Sequence, residues 1–463
     1  MQYVSTRGRA PVLNFEETML TGLARDGGLY VPEAWPTLSP ETIAGFAGQS
    51  FEDVAFTVMR PFVGKAFDDA TFRDILSRAW AGFGHPARCP LVQIGAGEWL
   101  LELFHGPTLA FKDVALQLIG QMFEVALARR GERVTIIGAT SGDTGSAAIE
   151  AFRGLDAVDV FILFPHGRVS EVQRRQMTTP REANVHALAV EGDFDACQAL
   201  VKAMFNDLAF RDAMRLAAVN SINWARILAQ TVYYFTAAVA LGGPSRPVSF
   251  SVPTGNFGDI YAGHVARAMG LPIDRLVIAT NANDILHRTL ATGRHDRAGV
   301  VATTSPSMDI EVSSNFERLL FDLHDRQGSA VAALMEELRS GGFTLAQGVL
   351  QTLRRDFASG RADVEETAAT IRRVRETTGL VIDPHSAVGL VAAEANRGDP
   401  RVPMVTLATA HPAKFPDAVA DACGIRPDLP PRMADLYERD ERVTIVPNDL
   451  AAVQAVLRER ARA

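Results

Sequence analysis

From about residue 91 the chain alternates short apolar, β-branched runs with longer stretches of helical period, and this alternation constrains the fold more than any other feature. The runs at 91–94, 99–103, 134–138, 160–165 and 185–190 read as strands. The stretches at 112–129, closed by Gly131, and at 144–153 read as the helices between them. Parallel strands need a crossover, usually a helix, and a parallel sheet is covered on both faces. A long helix at about 222–241 and the break Gly242-Gly243-Pro244 end this unit. A second set of strands follows at 248–252, 276–280, 404–408 and 443–446. The pattern predicts an α/β protein with two open, mostly parallel sheet domains, at 96–242 and 243–463. The second carries a mostly helical insertion at about 285–379 and ends in an amphipathic capping helix at 448–460.

Residues 1–95 read as a mainly helical region with no nucleotide loop and no metal spacing. Asn14 caps a first helix, the turn Asp26-Gly27-Gly28 and an extended piece at 29–32 follow, and further helices start at Ser39 and run over 51–58. The length of 463 residues allows two or three domains, and 47% apolar with 22% charged residues is ordinary for a globular enzyme. The net charge of −8 argues against nucleic-acid binding, so an anionic ligand needs a local cluster of donors. Cys89, Cys197 and Cys423 are odd in number and widely spaced, which argues against a disulfide framework or a thiolate metal site and for a reducing compartment. The opening MQYVSTRGRAP lacks the apolar core of a signal peptide, and the longest apolar run, at 232–241, is too short to span a bilayer. The expectation is a cytoplasmic protein with no membrane and no nucleic-acid partner, monomeric or homodimeric.

Lys112 stands at the first turn of the 112–129 helix, behind the turn His105-Gly106-Pro107 and among Ala110, Phe111 and Val114. Desolvation and the positive end of a helix both lower a lysine pKa and free the nucleophilic amine, which can form a Schiff base with a carbonyl cofactor. On local context alone a helix-start lysine beside a packed phenylalanine is the more common reading. Two glycine-bearing turns follow strands and open helices: Ser141, Gly142, Asp143, Thr144 and Gly145 after VTIIG, and Gly255, Asn256, Phe257, Gly258 and Asp259 after VSFSV. Backbone N–H groups and the helix dipole favour an anion at such a junction, at the carboxyl ends of parallel strands, and a tight turn whose glycines supply positive φ describes each loop as well. Neither turn matches the P-loop or a G-x-G-x-x-G opening, so ATP and NAD are poorly supported. In Asn220-Ser221-Ile222-Asn223-Trp224-Ala225-Arg226, Asn220 and Ser221 can cap the following helix while Arg226 reaches the same end, a good phosphate cup or a plain cap with a surface arginine. Thr409 ends the 404–408 strand and offers a hydroxyl to the crevice. His411 reads as a packed histidine, Lys414 is undecided, and Asp383-Pro384-His385-Ser386 reads as a structural turn.

Over nearly its whole length the chain resembles the threonine synthases of the longer class with an N-terminal extension. The resemblance is carried by DGGLYVP at 26–32, HGPTLAFKD at 105–113, ATSGDTG at 139–145, NSINWAR at 220–226, PTGNFGD at 253–259, SPSMDIEVSSNFERLLF at 305–321 and ATAHPAKF at 408–415. The lysine stretch is shared with the wider group of serine and threonine dehydratases; GNFGD, ATAHPAKF and SSNFERLLF are more specific. The resemblance implies the pyridoxal-phosphate fold of the tryptophan synthase β subunit, with the cofactor in a crevice between the two sheet domains. It implies Lys112 as the Schiff-base lysine, the 255–259 backbone as the cradle of the cofactor phosphate, and Thr409 as the partner of the pyridine nitrogen. It further implies the 141–145 turn as the substrate-carboxylate grip, and Asn220, Ser221 and Arg226 as ligands of the substrate phosphate. Many members of the wider group carry Asn where this chain and the longer threonine synthases have Asp143; an ionised aspartate cannot donate to the cofactor ring oxygen. The implied reaction is O-phospho-L-homoserine plus water to L-threonine plus phosphate. The alternatives are a dehydratase or phospholyase using the same cofactor, and a non-catalytic metabolite-binding homologue.

Overall fold

The computed structural model describes residues 1–462 and contains two main sheets. The larger has the strand order Phe357–Arg361, Ile273–Thr280, Val248–Pro253, Met404–Ala408, Glu98–Glu102, Leu91–Gly95, parallel except for the last pair. The smaller runs Thr444–Pro447, Val185–Glu191, Val158–Pro165, Val134–Ala139, Leu216–Ala217 and is parallel throughout. Every residue of Val158–Pro165, Val248–Pro253 and Met404–Ala408 is buried, as helices on both faces of a parallel sheet require.

The expected boundaries at 96–242 and 243–463 do not match sheet membership. Strand Glu98–Glu102 joins the larger sheet because it pairs with Met404–Ala408, and strand Thr444–Pro447 joins the smaller because it pairs with Val185–Glu191. Periodicity identifies a strand but not its partner, and these partners lie far apart in sequence. The chain therefore passes between the sheets three times, through 103–133, 218–247 and 409–443. The first passage carries Lys112, the second Asn220, Ser221 and Arg226, and the third Thr409.

The 285–379 insertion is also less helical than expected. It contains an antiparallel pair, Arg294–Asp296 with Gly342–Thr344, and strand Phe357–Arg361 forms the edge of the larger sheet. The sequence FASGR has no apolar alternation to announce that strand.

The N-terminal helices Phe15–Thr21, Pro40–Ala44, Phe51–Val63 and Asp69–Trp80 accompany a two-stranded ribbon, Tyr3–Ser5 with Tyr30–Pro32. Asn14 does cap the first, in a capping box with Glu17. This region shares one continuous core with both sheets rather than lying over them. Trp224 packs against Tyr3, Trp35 and Phe62, and Trp80 Nε1 donates to Val114 O on the Lys112 helix at 2.9 Å. Buried Arg318 donates to the carbonyls of Tyr30 and Ile222, tying the ribbon and the insertion to the second passage. The C-terminal helix Leu450–Arg460, capped by Asp449, closes a separate cluster on the smaller sheet. No helix among the described residues is long and apolar enough to cross a membrane.

Candidate active site

The turn before Lys112 is locked by its own residues and by the third passage. Buried Asp113 accepts from Thr108 N at 2.8 Å and Thr108 Oγ1 at 2.6 Å. Gly106 permits this, since a Cβ there would lie 2.4 Å from Asp113 Cβ. Phe111 N donates to Thr409 O at 2.8 Å and His411 N to Leu109 O at 3.0 Å, so Lys112 and Thr409 are zipped side by side. Helix Lys112–Arg130 begins at Lys112 itself, whose side chain is buried with its amine 4.7 Å from the Phe111 ring centre.

The amine faces Asp143, the first residue of helix Asp143–Phe152, with Nζ 3.4 Å from Oδ2. Asp143 Oδ1 also takes Lys414 Nζ at 2.8 Å and Gln173 Nε2 at 2.9 Å, and Oδ2 takes Ser307 Oγ at 3.0 Å. Burial alone would raise the Asp143 pKa, but the Lys414 and Lys112 charges and the Gln173 bond hold it well below the usual carboxylate range. Burial lowers the Lys112 pKa from that of an ordinary lysine, against the pull of Asp143 and with help from the charges of Lys414 and Arg226.

In the 141–145 turn, Gly142 N and Gly145 N both donate to Thr140 Oγ1 at 2.9 Å. Those two amides shape the loop and are not available to a ligand. The half-buried Ser141 and Thr144, with the first-turn amides of Asp143 and Thr144, remain as donors. The Asp143 carboxylate points at the lysines and cannot itself receive a carboxylate.

The 255–259 loop is arranged differently. Its carbonyls are anchored: Gly255 O accepts from Ser313 Oγ at 2.6 Å, and Asn256 O from Asn315 N at 3.0 Å and Asn315 Nδ2 at 2.8 Å. Phe257 adopts φ 64° to enter helix Gly258–Ala268. The amides of Asn256, Phe257 and Gly258 stand at the positive end of that helix. Gly255 is pressed so closely on Ser307 that a Cβ would meet its carbonyl at 2.6 Å. Ser307 thereby connects this loop to Asp143 and so to Lys112. Asp259 turns away from the ligand side: Oδ1 accepts from Tyr233 and Tyr234 hydroxyls, while Oδ2 is buried without a partner among the described residues. Burial pushes its pKa up to about 7, against the two tyrosine bonds.

The second passage corrects one expectation. The cap of helix Trp224–Ala240 is Asn223, which accepts from Ala225 N at 3.0 Å, not Asn220 or Ser221. Asn220 is exposed and bonds Ile222 N, and Ser221 O takes Asn315 Nδ2. The sequence points to Asn220 and Ser221, whereas the cap is the buried Asn223, which also donates to Met19 O. Arg226 is buried with Nη1 unpartnered among the described residues, and burial lowers its pKa to about 10. Ser221 O and Ile227 Cδ1 lie 3.7 and 3.4 Å from a Cβ built on Gly258, so the Arg226 turn and the 255–259 loop adjoin.

Thr409 is buried, and its hydroxyl makes no hydrogen bond among the described residues. His411 is packed against Phe104 and accepts from Ala413 N, and burial holds its pKa down at about 4, as a packed histidine requires. Sequence reasoning missed Gln173, Ser307 and His385. His385 Nε2 accepts from Ser307 N at 3.2 Å while Nδ1 donates to Asp383 at 2.7 Å, so the supposed structural turn buttresses the Ser307 segment. The 305–321 motif was the only signal for Ser307. A cleft of about 540 Å³ beside Pro107, Glu150, Gln176 and Arg432 contains none of the expected site residues.

The family profile described as "Threonine synthase N terminus" matches residues 2–80, that described as "Pyridoxal-phosphate dependent enzyme" matches 87–338, and "Threonine synthase, C-terminal" matches 386–457. The threonine synthase of Pseudomonas aeruginosa is 57% identical over 457 residues, 98% of this chain and 97% of the relative. The crystal structure of pyridoxal-phosphate-bound threonine synthase from Brucella melitensis superposes with a TM-score of 0.98 at 58% identity, covering 100% of both chains. That of the yeast threonine synthase gives 0.94 at 42% identity, covering 99% of this chain and 98% of the other.

Proposed function

We propose, from the premise that the chain belongs to the threonine synthase family, that it converts O-phospho-L-homoserine and water to L-threonine and phosphate, the last step of threonine biosynthesis. One observation carries the assignment of the substrate site: the buried Arg226 guanidinium with an unpartnered nitrogen, on a turn packed against a helix-start anion cradle. A buried cation without a counter-charge is costly, and a second phosphate beside the first relieves that cost. A dehydratase substrate brings no second phosphate.

The residues fit pyridoxal phosphate. Lys112 offers a desolvated amine, the amides of Gly255, Asn256, Phe257 and Gly258 suit its phosphate, and the Thr409 hydroxyl suits its pyridine nitrogen. Asp259 belongs to that cradle through its backbone alone, because its carboxylate faces the tyrosines. Bound there, the cofactor supplies the electron-withdrawing ring that makes the substrate Cα–H and Cβ–H acidic.

Lys112 Nζ, whose pKa burial lowers from that of an ordinary lysine, takes the Cα proton. Ser141 and Thr144, with the free amides of Asp143 and Thr144, hold the substrate carboxylate. Gly142 and Gly145 keep that loop in shape through Thr140. Arg226, with the turn at Asn220 and Ser221, holds the phosphate on Cγ and balances its charge as the C–O bond breaks. A Cβ proton leaves as the phosphate departs, Cγ takes up a proton in its place, water gives its hydroxyl to Cβ and its proton to the departing phosphate, and Lys112 returns a proton to Cα. Burial of Lys112, Asp143 and Arg226 keeps stray water from the reacting carbons.

The test is one assay on the purified protein with pyridoxal phosphate and O-phospho-L-homoserine, following phosphate, threonine and 2-oxobutyrate together. Equal phosphate and threonine are expected. Phosphate with 2-oxobutyrate would instead mark a phospholyase. The free thiols of Cys89, Cys197 and Cys423 support a cytoplasmic location.

A further inference from the structure

The site contains a second lysine for which the reaction above has no use. Lys414 is fully buried, on the short turn Pro412–Lys414 of the third passage. Its Nζ is 2.8 Å from Asp143 Oδ1 and donates to Thr108 O at 2.8 Å. It thus joins the helix start of the smaller sheet, the turn that precedes Lys112 and the passage that carries Thr409. Gln176 Nε2 donates to the same Thr108 carbonyl at 3.1 Å.

We propose that Lys414 is a positioning residue for Lys112: its ammonium occupies the one carboxylate that both lysines face, so that the Lys112 amine is left uncharged and aimed at its reaction partner. This rests on the reading of Lys112 as the reacting lysine. The argument is one of charge and distance. Two cations and one carboxylate cannot all be charged cheaply in a buried cluster. Lys414 holds Asp143 at 2.8 Å and has a second acceptor, whereas Lys112 stands at 3.4 Å. The remaining charged groups around Lys112 do not reverse this. Arg226 opposes a second positive charge, and Asp259, across the site, has its carboxylate turned onto Tyr233 and Tyr234. On the far side Lys414 also faces Asp113, whose pKa burial raises against the Thr108 bonds and the Lys414 charge. Without Lys414, Asp143 would pair with Lys112 and hold its proton.

The experiment follows covalent attachment of pyridoxal phosphate to the full-length, cofactor-stripped protein as a function of pH, trapped by borohydride and quantified on the Lys112 peptide by mass spectrometry. Lys414→Met should move the midpoint of the rate profile up by more than about one pH unit, a roughly tenfold loss of rate at neutral pH. Lys414→Arg, which keeps the charge, should bring it part of the way back. Asp143→Asn should move the midpoint down, and it serves independently if Lys414→Met does not fold. A structural defect changes the rate at every pH but leaves the midpoint in place. An unmoved midpoint in folded Lys414→Met, equal shifts for Met and Arg, or an upward shift in Asp143→Asn would each overturn the proposal. Trapping on a lysine other than Lys112 would instead overturn the reading on which it rests.

Discussion

The two glycine turns look alike in sequence: each follows a parallel strand, and each places an aspartate in the first turn of a helix. Their aspartates have opposite fates. Asp143 points into the site, receives two lysines, a glutamine and a serine, and is held ionised. Asp259 points out of it, receives only tyrosine hydroxyls, and is pushed towards neutrality. Their backbones differ in the same sense. The first loop closes two of its amides on Thr140, while the second anchors its carbonyls and leaves its amides to a ligand. A helix start is therefore only a scaffold for an anion site. Here the direction of one carboxylate decides whether the site carries a fixed negative charge beside a reactive amine or presents bare N–H groups to a phosphate.

The largest effect should come from emptying the first site. Lys112→Ala is expected to lower kcat by at least about 10⁴-fold and to abolish the absorbance of covalently held cofactor, because the nucleophile and the proton carrier are one atom. Retained turnover would break the contrast at its centre. On the second side, Arg226→Ala should raise KM for O-phospho-L-homoserine about a hundredfold, the scale of a lost buried charge-assisted contact. Binding of L-threonine, which has no phosphate, should change less than about threefold. Equal losses for both ligands would make Arg226 structural.

Much of this arrangement was legible in the sequence. A turn followed by a helix-period stretch located Lys112, a strand followed by glycines located both loops, and a strand end located Thr409. What was not legible depends on tertiary proximity. Lys414 and Thr108 are 306 residues apart, and only the folded chain shows that they meet. Gln173 belongs to a capping box with Ser170, a pattern that gives no hint of Asp143, and His385 reads as part of a structural turn until Ser307 N is seen on its ring. The pairing of Glu98–Glu102 with Met404–Ala408 is of the same kind, and it is why contiguous domain boundaries failed. The direction of Asp259 was equally hidden, although Tyr233 and Tyr234 lay in plain view in the long helix.

The contrast in loop backbone can be sharpened by stability alone. Gly142 has φ 142°, and a Cβ there would lie 2.3 Å from Gln173 Cδ. Gly142→Ala should therefore cost about 3 kcal/mol from strain and overlap together. Gly258 sits at the start of a regular helix, and its Cβ would stand 3.4 Å from Asn315 Nδ2 and Ile227 Cδ1. Gly258→Ala should cost less than about 1 kcal/mol, while weakening cofactor retention. Denaturant melts of the cofactor-free proteins compare the two directly, and equal losses would erase the distinction between a closed loop and an open one.

The smallest effect separates the two aspartates by their protons. Asp259 titrates near 7 in the folded protein and near an ordinary carboxylate value when unfolded. Between those values the folded state binds more protons, so this group's contribution to stability falls as pH rises from about 4 to about 7 and is fully lost above that. Asp143 works in the opposite sense, since its pKa is depressed by folding and its contribution is lost only in acid. Asp259→Asn keeps an oxygen to accept from the tyrosines and removes the titration. Relative to the parent protein it should gain on the order of 2 kcal/mol between pH 5 and pH 8, read from denaturant melts at the two pH values. Asp143→Asn should show no such gain over that window, because Asp143 is ionised throughout it. If Asp259→Asn tracks the parent at both pH values, then Asp259 is charged in the fold after all, and the bound phosphate would have to share its cradle with a carboxylate.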